Sequence, residues 1–172
     1  MEKFKTLDIV PSYKRKIGII HRDWGPCDCA FYGISYGNKI VSQTNIDLIY
    51  FYENLPQFVI PPISGSMNIQ DIWGFDGLTI ATNLDSAFAL SKVIGNHPKV
   101  FYVYDLEFLR PQNRNFLYNT SIYRNPNLKL VCRSDEHAKC LSNYSNRTDI
   151  SIIDDFNLFE FWKQFGEDYA RK

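Results

Sequence analysis

The chain of 172 residues carries 19 basic and 19 acidic side chains, so its formal net charge at pH 7 is zero. Zero net charge removes any global electrostatic case for binding nucleic acid or an anionic membrane, although local charged patches are compatible with it. Apolar residues make up 45% of the chain, which excludes global disorder and is enough for the core of one domain.

The predicted elements alternate along the chain after a charged, extended arm of residues 1–15. Stretches rich in β-branched and aromatic residues predict six strands, at 16–22, 46–52, 77–82, 99–104, 128–132 and 150–153. Helices are predicted at 84–95, 113–123, 135–143 and 157–169. Glycine and proline in segment 23–37 predict a loop that leads into a short or irregular helix, and the prolines of segment 56–76 predict a long connection.

Strands that alternate with helices are typical of βαβ units and of a mostly parallel sheet. We therefore expect residues 16–172 to form a single Rossmann-like α/β domain with three layers and about six strands. No internal repeat and no linker divides this stretch into two domains.

The sequence lacks the usual signals for export, membrane insertion and metal binding. The first ten residues have no apolar core of a signal peptide, and no uncharged run reaches the length of a membrane span. The four cysteines stand at positions 27, 29, 132 and 140, without the spacing of a zinc site and with no histidine at ligand distance in sequence. We expect a soluble cytoplasmic protein with free thiols, no metal and no membrane partner.

Several catalytic motifs are missing. The sequence has no glycine-rich dinucleotide fingerprint, no phosphate-binding P-loop and no Gly-x-Ser-x-Gly nucleophile elbow. The cysteines and histidines form no recognisable nucleophilic pair, and His21 and His97, which flank strands, are predicted to be structural. These absences disfavour dinucleotide enzymes, nucleoside triphosphatases and α/β-hydrolases.

Two carboxylates stand at the carboxyl end of the predicted strand 99–104. Open α/β sheets bind ligands outside the carboxyl ends of their strands, so Asp105 and Glu107 are candidates for a general base. The alternative is that Asp105 caps the following turn. Seven basic residues then follow between 110 and 147; they predict either a groove for a polyanion or a solvated helix face without function.

One succession of elements in the second half of the chain resembles a known family. It consists of the segment FDGLTIATNLDSA, the strand FYVYD, the segment NRNFLY, the strand at 128–132, Ser134 and the strand at 150–155. This order, over roughly residues 75–160, resembles the N-terminal, acceptor-binding half of GT-B glycosyltransferases, most closely phage enzymes of the DNA β-glucosyltransferase kind. The resemblance implies that Asp105 is the general base that takes the proton of an acceptor hydroxyl.

The same resemblance implies the substrates and partners. The acceptor is expected to be bound by Asn83, Glu107, Arg110, Arg114 and Tyr118. The donor would be a nucleotide sugar, with no tightly bound cofactor, and a hydroxylated base in DNA is one acceptor that the family suggests. Because GT-B enzymes hold the donor on a second Rossmann-like domain, we expect a second chain or a homo-oligomer to supply that half, in the host-cell cytoplasm if the protein is encoded by a phage.

A non-catalytic Rossmann-like binding or assembly module is the alternative. It is motivated by Ile60, Ile63, Trp73 and Phe75 in segment 56–76, because exposed apolar side chains mark interfaces. The same side chains could instead pack the long connection against the sheet edge.

Overall fold

The computed structural model describes residues 15–110 and 115–171, which form one seven-stranded sheet with helices on both faces. The strands are β1 (Lys16–His21), β2 (Asp47–Tyr52), β3 (Ser66–Asn68), β4 (Leu78–Ala81), β5 (Lys99–Val103), β6 (Lys129–Cys132) and β7 (Ile150–Ile152). The helices are α1 (Asp28–Gln43), α2 (Leu84–Lys92), α3 (Phe116–Tyr123), α4 (Asp135–Ser145), α5 (Leu158–Phe161) and α6 (Glu167–Ala170), the last two joined by a wide helical turn, Trp162–Gly166. None of the helices within the two described ranges is long and apolar enough to cross a membrane.

The seven strands are all parallel, in the order β3-β2-β1-β4-β5-β6-β7. This confirms the predicted Rossmann-like α/β fold, and the six predicted strands correspond to β1, β2, β4, β5, β6 and β7. The seventh, β3, lies inside segment 56–76, where the prolines predict an irregular connection. It has three residues, none of them buried, at the edge of the sheet, so neither length nor an apolar pattern marks it in the sequence. Of the predicted arm, only Arg15 belongs to the described residues.

Helix α1 is longer and more regular than the glycines of segment 23–37 predict. Gly33 and Gly37 are both buried within this helix. A Cβ at position 37 would overlap the Tyr50 hydroxyl and lie 2.6 Å from Leu48 Cδ2, so Gly37 lets α1 approach β2 closely. The prediction of a short or irregular helix was therefore wrong, because neither glycine ends the helix and Gly37 serves packing.

The sheet is covered on both faces by separate hydrophobic clusters. On one face, alternate strand residues such as Ile19 and Tyr102 pack with Ile34 of α1 and Phe161 of α5. On the other face, Phe101 and its neighbours pack with residues of three further helices. Those helix residues are Ala87 and Leu90 of α2, Ile122 and Tyr123 of α3, and Leu141 of α4. The alternation of buried side chains along the strands thus builds the predicted three layers.

The chain changes the direction in which it adds strands between β1 and β4. From β1 it adds β2 and β3 on one side, and it then returns to place β4 on the other side of β1. Helix α1 packs on one face of the sheet and α2 on the other, so the loops that follow β1 and β4 diverge. A crevice at such a switch point, outside the carboxyl ends of the strands, is where open α/β sheets bind ligands.

Candidate functional site

A cavity of about 670 Å³ lies at this switch point. We call it the switch-point cavity. Its lining residues follow β1, β4, β5 and β6: His21, Arg22, Asp23, Cys27, Asp28, Cys29, Thr82, Asn83, Asp85, Tyr104, Asp105, Glu107, Arg110 and Arg133. Five carboxylates and three guanidinium groups face the cavity, so its wall is strongly polar and carries an excess of acidic groups.

Asp105 projects from the loop after β5 into the cavity. Its side chain is 49% exposed, and its Oδ2 accepts a hydrogen bond from Nη2 of Arg110 over 2.6 Å. The carboxylate is thus both accessible from the cavity and oriented by a charged partner five residues further on. The alternative prediction, that Asp105 caps a turn, gains no support from its side chain, which bonds to Arg110; the N–H of Glu107 bonds to the backbone carbonyl of Asp105 instead.

Glu107 also lines the cavity, but its carboxylate has a second function at the start of α2. Its Oε2 accepts the N–H of Leu84 over 3.2 Å, which supplies a partner for one of the first N–H groups of the helix. Desolvation raises the pKa of Glu107 above its ordinary value, and the hydrogen bond from Leu84 and the charge of Arg110 oppose that shift. The carboxylate of Glu107 is therefore engaged by the amino end of α2.

Asn83 lines the cavity as the N-cap of α2. Its Oδ1 accepts the N–H of Ser86 over 2.8 Å, and the Ser86 hydroxyl accepts the N–H of Asn83 over 3.1 Å, which completes a capping box. The predicted cap is confirmed. The side-chain oxygen of Asn83 is engaged by the helix, whereas the residue as a whole remains part of the cavity wall.

Of the other two predicted acceptor-binding residues, one lies behind the wall and one lies outside the described residues. Tyr118 of α3 is not among the lining residues; its hydroxyl donates to Oδ1 of Asp85, which is one of them, over 3.1 Å. Desolvation, together with the charge of Asp85, raises the pKa of Tyr118 to about 12, so the phenol is neutral at pH 7. Arg114 falls in the segment 111–114, outside the described residues.

The basic residues between 110 and 147 do not form one groove among the described residues. Arg110 and Arg133 face the cavity, and Arg133 lies 4.8 Å from the centre of the Tyr104 ring. Arg147 instead donates to three backbone carbonyls and pairs with Asp149, with 11% of its side chain exposed. Arg124 likewise donates to a backbone carbonyl. The polyanion groove is thus wrong for Arg147, which ties loops together, whereas Arg124 is exposed and the prediction for it stays open.

Sequence reasoning missed a hydrogen-bonded chain of three side chains in the cavity wall. The thiol of Cys27 lies 3.6 Å from Nε2 of His21, and Nδ1 of His21 lies 2.7 Å from Oγ1 of Thr82. No sequence pattern indicated this contact between a cysteine and a histidine, and the prediction that His21 is structural is not tested by it. The six-residue spacing of His21 and Cys27 carries no known signal, and Thr82 joins them only because β1 and β4 are neighbours.

No group of three or more His, Cys, Asp or Glu side chains within residues 15–110 and 115–171 is arranged to hold a metal ion. The four cysteines are free thiols, as predicted. Comparison of the chain with family models, with curated proteins and with solved structures found no match. The case for a function therefore depends on the switch-point cavity and the residues in its wall.

Proposed function

We propose that this domain is the acceptor half of a GT-B-type glycosyltransferase, in which Asp105 is the general base for transfer of a sugar to a hydroxyl group. The observation that carries the proposal is the half-exposed Asp105 carboxylate, held by Arg110 in the switch-point cavity. The cavity lies where ligands of this class of sheet bind. Its size, about 670 Å³, is within the range of small-molecule sites.

The chemistry needs a carboxylate within reach of an alcohol. The acceptor hydroxyl oxygen forms a bond to the anomeric carbon of the donor while its proton passes to Asp105, and the bond to the nucleoside diphosphate breaks. Arg110 fixes one carboxylate oxygen, and the exposed surface of the side chain leaves room for the acceptor. Asn83 and Glu107 supply further polar groups on the same wall.

The excess of carboxylates in the cavity limits the kind of acceptor group that can enter it. A phosphate backbone would be repelled by five acidic side chains, whereas the hydroxyl groups of a sugar or of an extruded, hydroxylated base can donate to them. DNA as a substrate would therefore place a base in the cavity and its backbone outside. If the protein is encoded by a phage, transfer would take place in the cytoplasm of the host cell.

The donor half is a separate requirement of the proposal. The described residues form one sheet with its helices, and a nucleotide sugar would be enclosed by a second Rossmann-like unit facing this cavity. A partner chain, a further segment or a second copy of this chain would supply that unit. The nucleotide sugar would then bind as a substrate, with no tightly held cofactor.

The test is sugar transfer in the reconstituted system, with labelled nucleotide sugars as donors and hydroxymethylated DNA or oligosaccharides as acceptors. Asp105→Asn should lower transfer by at least about 100-fold, the usual contribution of a general base, while acceptor binding is retained. Asp28→Asn is the matched control, because Asp28 is an exposed carboxylate at another part of the same wall. Undiminished transfer by Asp105→Asn would refute the assignment.

A binding or assembly module is the second candidate, and the exposed side chains of segment 56–76 favour it. Ile63 and Trp73 are 65% and 57% exposed, whereas Phe75 is buried and Ile60 packs against the core. Half of the predicted apolar set is therefore available to a partner. Calorimetric titration with nucleotide sugars and with duplex DNA separates the candidates: binding of neither, together with a stable hetero-complex in size exclusion, would favour the module.

A further inference from the structure

The chain of Cys27, His21 and Thr82 fixes the protonation pattern of the histidine. The hydroxyl of Thr82 has one proton, and it donates this proton to the carbonyl of Ile20 over 2.8 Å. Thr82 Oγ1 must therefore accept from His21, so the ring carries its proton on Nδ1. Nε2 is then an acceptor, and it faces the thiol of Cys27. This is the order of orienting group, base and nucleophile.

The ionisation of the two groups suits a neutral pair. Burial lowers the pKa of His21 below its ordinary value, and the charge of Asp23 opposes this shift. Desolvation of the sulfur raises the pKa of Cys27, although the residue as a whole is exposed. At pH 7 the histidine is therefore a free base beside a protonated thiol, and proton transfer accompanies the attack of the sulfur.

Helix α1 supplies donors at the same position. Cys27 is its N-cap, and Sγ accepts the N–H of Ala30 over 3.4 Å. The first N–H groups of a helix have no carbonyl partner within the helix, and that of Ala30 is directed at the sulfur. The amino end of α1 thus lies beside the sulfur, and donors of this kind stabilise the oxyanion that forms in acyl transfer.

The loop that presents His21 and Cys27 is held in an unusual conformation. Trp24 has a φ of 56°, a region that bulky side chains rarely adopt. The residue is kept there by burial and by the hydrogen bond of its indole N–H to the carbonyl of Phe51 over 3.0 Å. Its ring lies 5.2 Å from that of His21. Strain of this kind persists where the surrounding structure over-determines it, and it is common at active sites.

We propose that Cys27 is a nucleophile that accepts the acyl group of an ester or thioester in the switch-point cavity, with His21 as general base and Thr82 as the residue that positions His21. The sulfur forms a bond to the carbonyl carbon, and the thiol proton passes to Nε2 of His21. The bond from the carbonyl carbon to the leaving oxygen or sulfur then breaks, and the leaving group takes the proton from His21. Attack by water or an alcohol, which gives its proton to His21, releases the acyl group and restores the thiol. This activity does not rest on the proposed sugar transfer.

The experiment uses the full chain with p-nitrophenyl acetate as the probe. We expect a burst of one equivalent of p-nitrophenolate, with the acetyl group mapped by mass spectrometry to Cys27, at least about 10-fold faster than acetylation of Cys140. Cys140 is the internal control because it is the other exposed thiol among the described residues. Cys140→Ser should leave the burst unchanged, and Cys27→Ser should remove it.

Two further variants test the base and the positioning residue. In His21→Asn the amide can still donate to Thr82 but cannot accept the thiol proton at the position of Nε2, so Cys27 should react no faster than Cys140. Thr82→Val should slow the burst and Thr82→Ser should restore it, a rescue that a purely steric role would not produce. Equal reactivity of Cys27 and Cys140 in the wild type, or an unchanged burst in a folded His21→Asn variant, would overturn the proposal.

Discussion

The two glycines of α1 give a matched pair of substitutions with opposite expected signs. Both are buried in the same helix, and alanine gains up to about 1 kcal/mol over glycine in a helix interior. They differ in the space that a methyl group would enter. A Cβ at position 33 would lie 3.4 Å from the Trp24 ring, an ordinary contact, so Gly33→Ala should stabilise the protein by about 0.5–1 kcal/mol.

At position 37 the same methyl group has no room. It would overlap the Tyr50 hydroxyl and lie 2.6 Å from Leu48 Cδ2, and both residues are fixed in the core of β2. Overpacking of this kind lowers stability by about 1–3 kcal/mol. Because the fully buried Tyr50 ring cannot move aside, we expect a loss of about 3 kcal/mol from overpacking. After the helix-propensity gain, Gly37→Ala should destabilise the protein by about 2 kcal/mol.

Urea denaturation of the two variants and the wild type measures both effects. The difference between Gly33→Ala and Gly37→Ala should be about 3 kcal/mol, or roughly 6–12 °C in Tm for a chain of this size. Equal stability of the two variants would refute the argument that Gly37 sets the distance between α1 and the sheet. A loss of stability in both would mean that the glycines are needed for backbone conformation rather than for packing.

Three further predictions concern burial and charge. Tyr102→Phe should lower the free energy of unfolding, measured by urea denaturation, by about 2–3 kcal/mol, because the buried hydroxyl donates to one backbone group of the loop after β7 and accepts from another. Tyr50→Phe loses one hydrogen bond of 3.5 Å and should lower it by less than about 1 kcal/mol. Burial lowers the pKa of His97, so below about pH 6.5 the unfolded chain binds more protons than the folded chain, and stability falls as the pH falls. His97→Gln should make the dependence of Tm on pH less steep in this range. Arg110→Gln should change stability by less than about 1 kcal/mol, because its pair with Asp105 is half-exposed, yet lower sugar transfer in the assay proposed for Asp105.

The sequence carried most of the architecture because the strands are buried on both faces. Runs such as Lys99–Val103, whose five residues are all buried, can be recognised from composition alone, and Asn83 and Ser134 mark the helix starts that follow β4 and β6. The sequence could not show which segments far apart in the chain lie next to each other in the fold. The strand β3 is three residues long and has no buried residue, so it is a strand only because its backbone pairs with β2.

The same reason separates the residues of the candidate site that could be predicted from those that could not. Asp105 could be predicted because its position follows directly from the strand before it, and it lines the cavity as the topology requires. The relation of Cys27 and His21 to Thr82 could not, because it spans 61 residues and depends on the pairing of β1 with β4. Arg147 shows the opposite error: a charge that reads as part of a surface groove is used to satisfy backbone carbonyls.

Substitution at position 27 tests whether the cysteine is there for its reactivity or for the stability of the fold. Sulfur is a poor N-cap, and its bond to the N–H of Ala30 is 3.4 Å long. Serine is among the preferred N-caps, so Cys27→Ser should leave the free energy of unfolding unchanged or raise it by up to about 1 kcal/mol. The same variant should lose the acylation burst, because a serine hydroxyl is a far weaker nucleophile beside a neutral histidine than a thiol. If Cys27→Ser instead lowers Tm clearly, the contact of the thiol with His21 stabilises the loop, and folding rather than reactivity accounts for the residue at position 27.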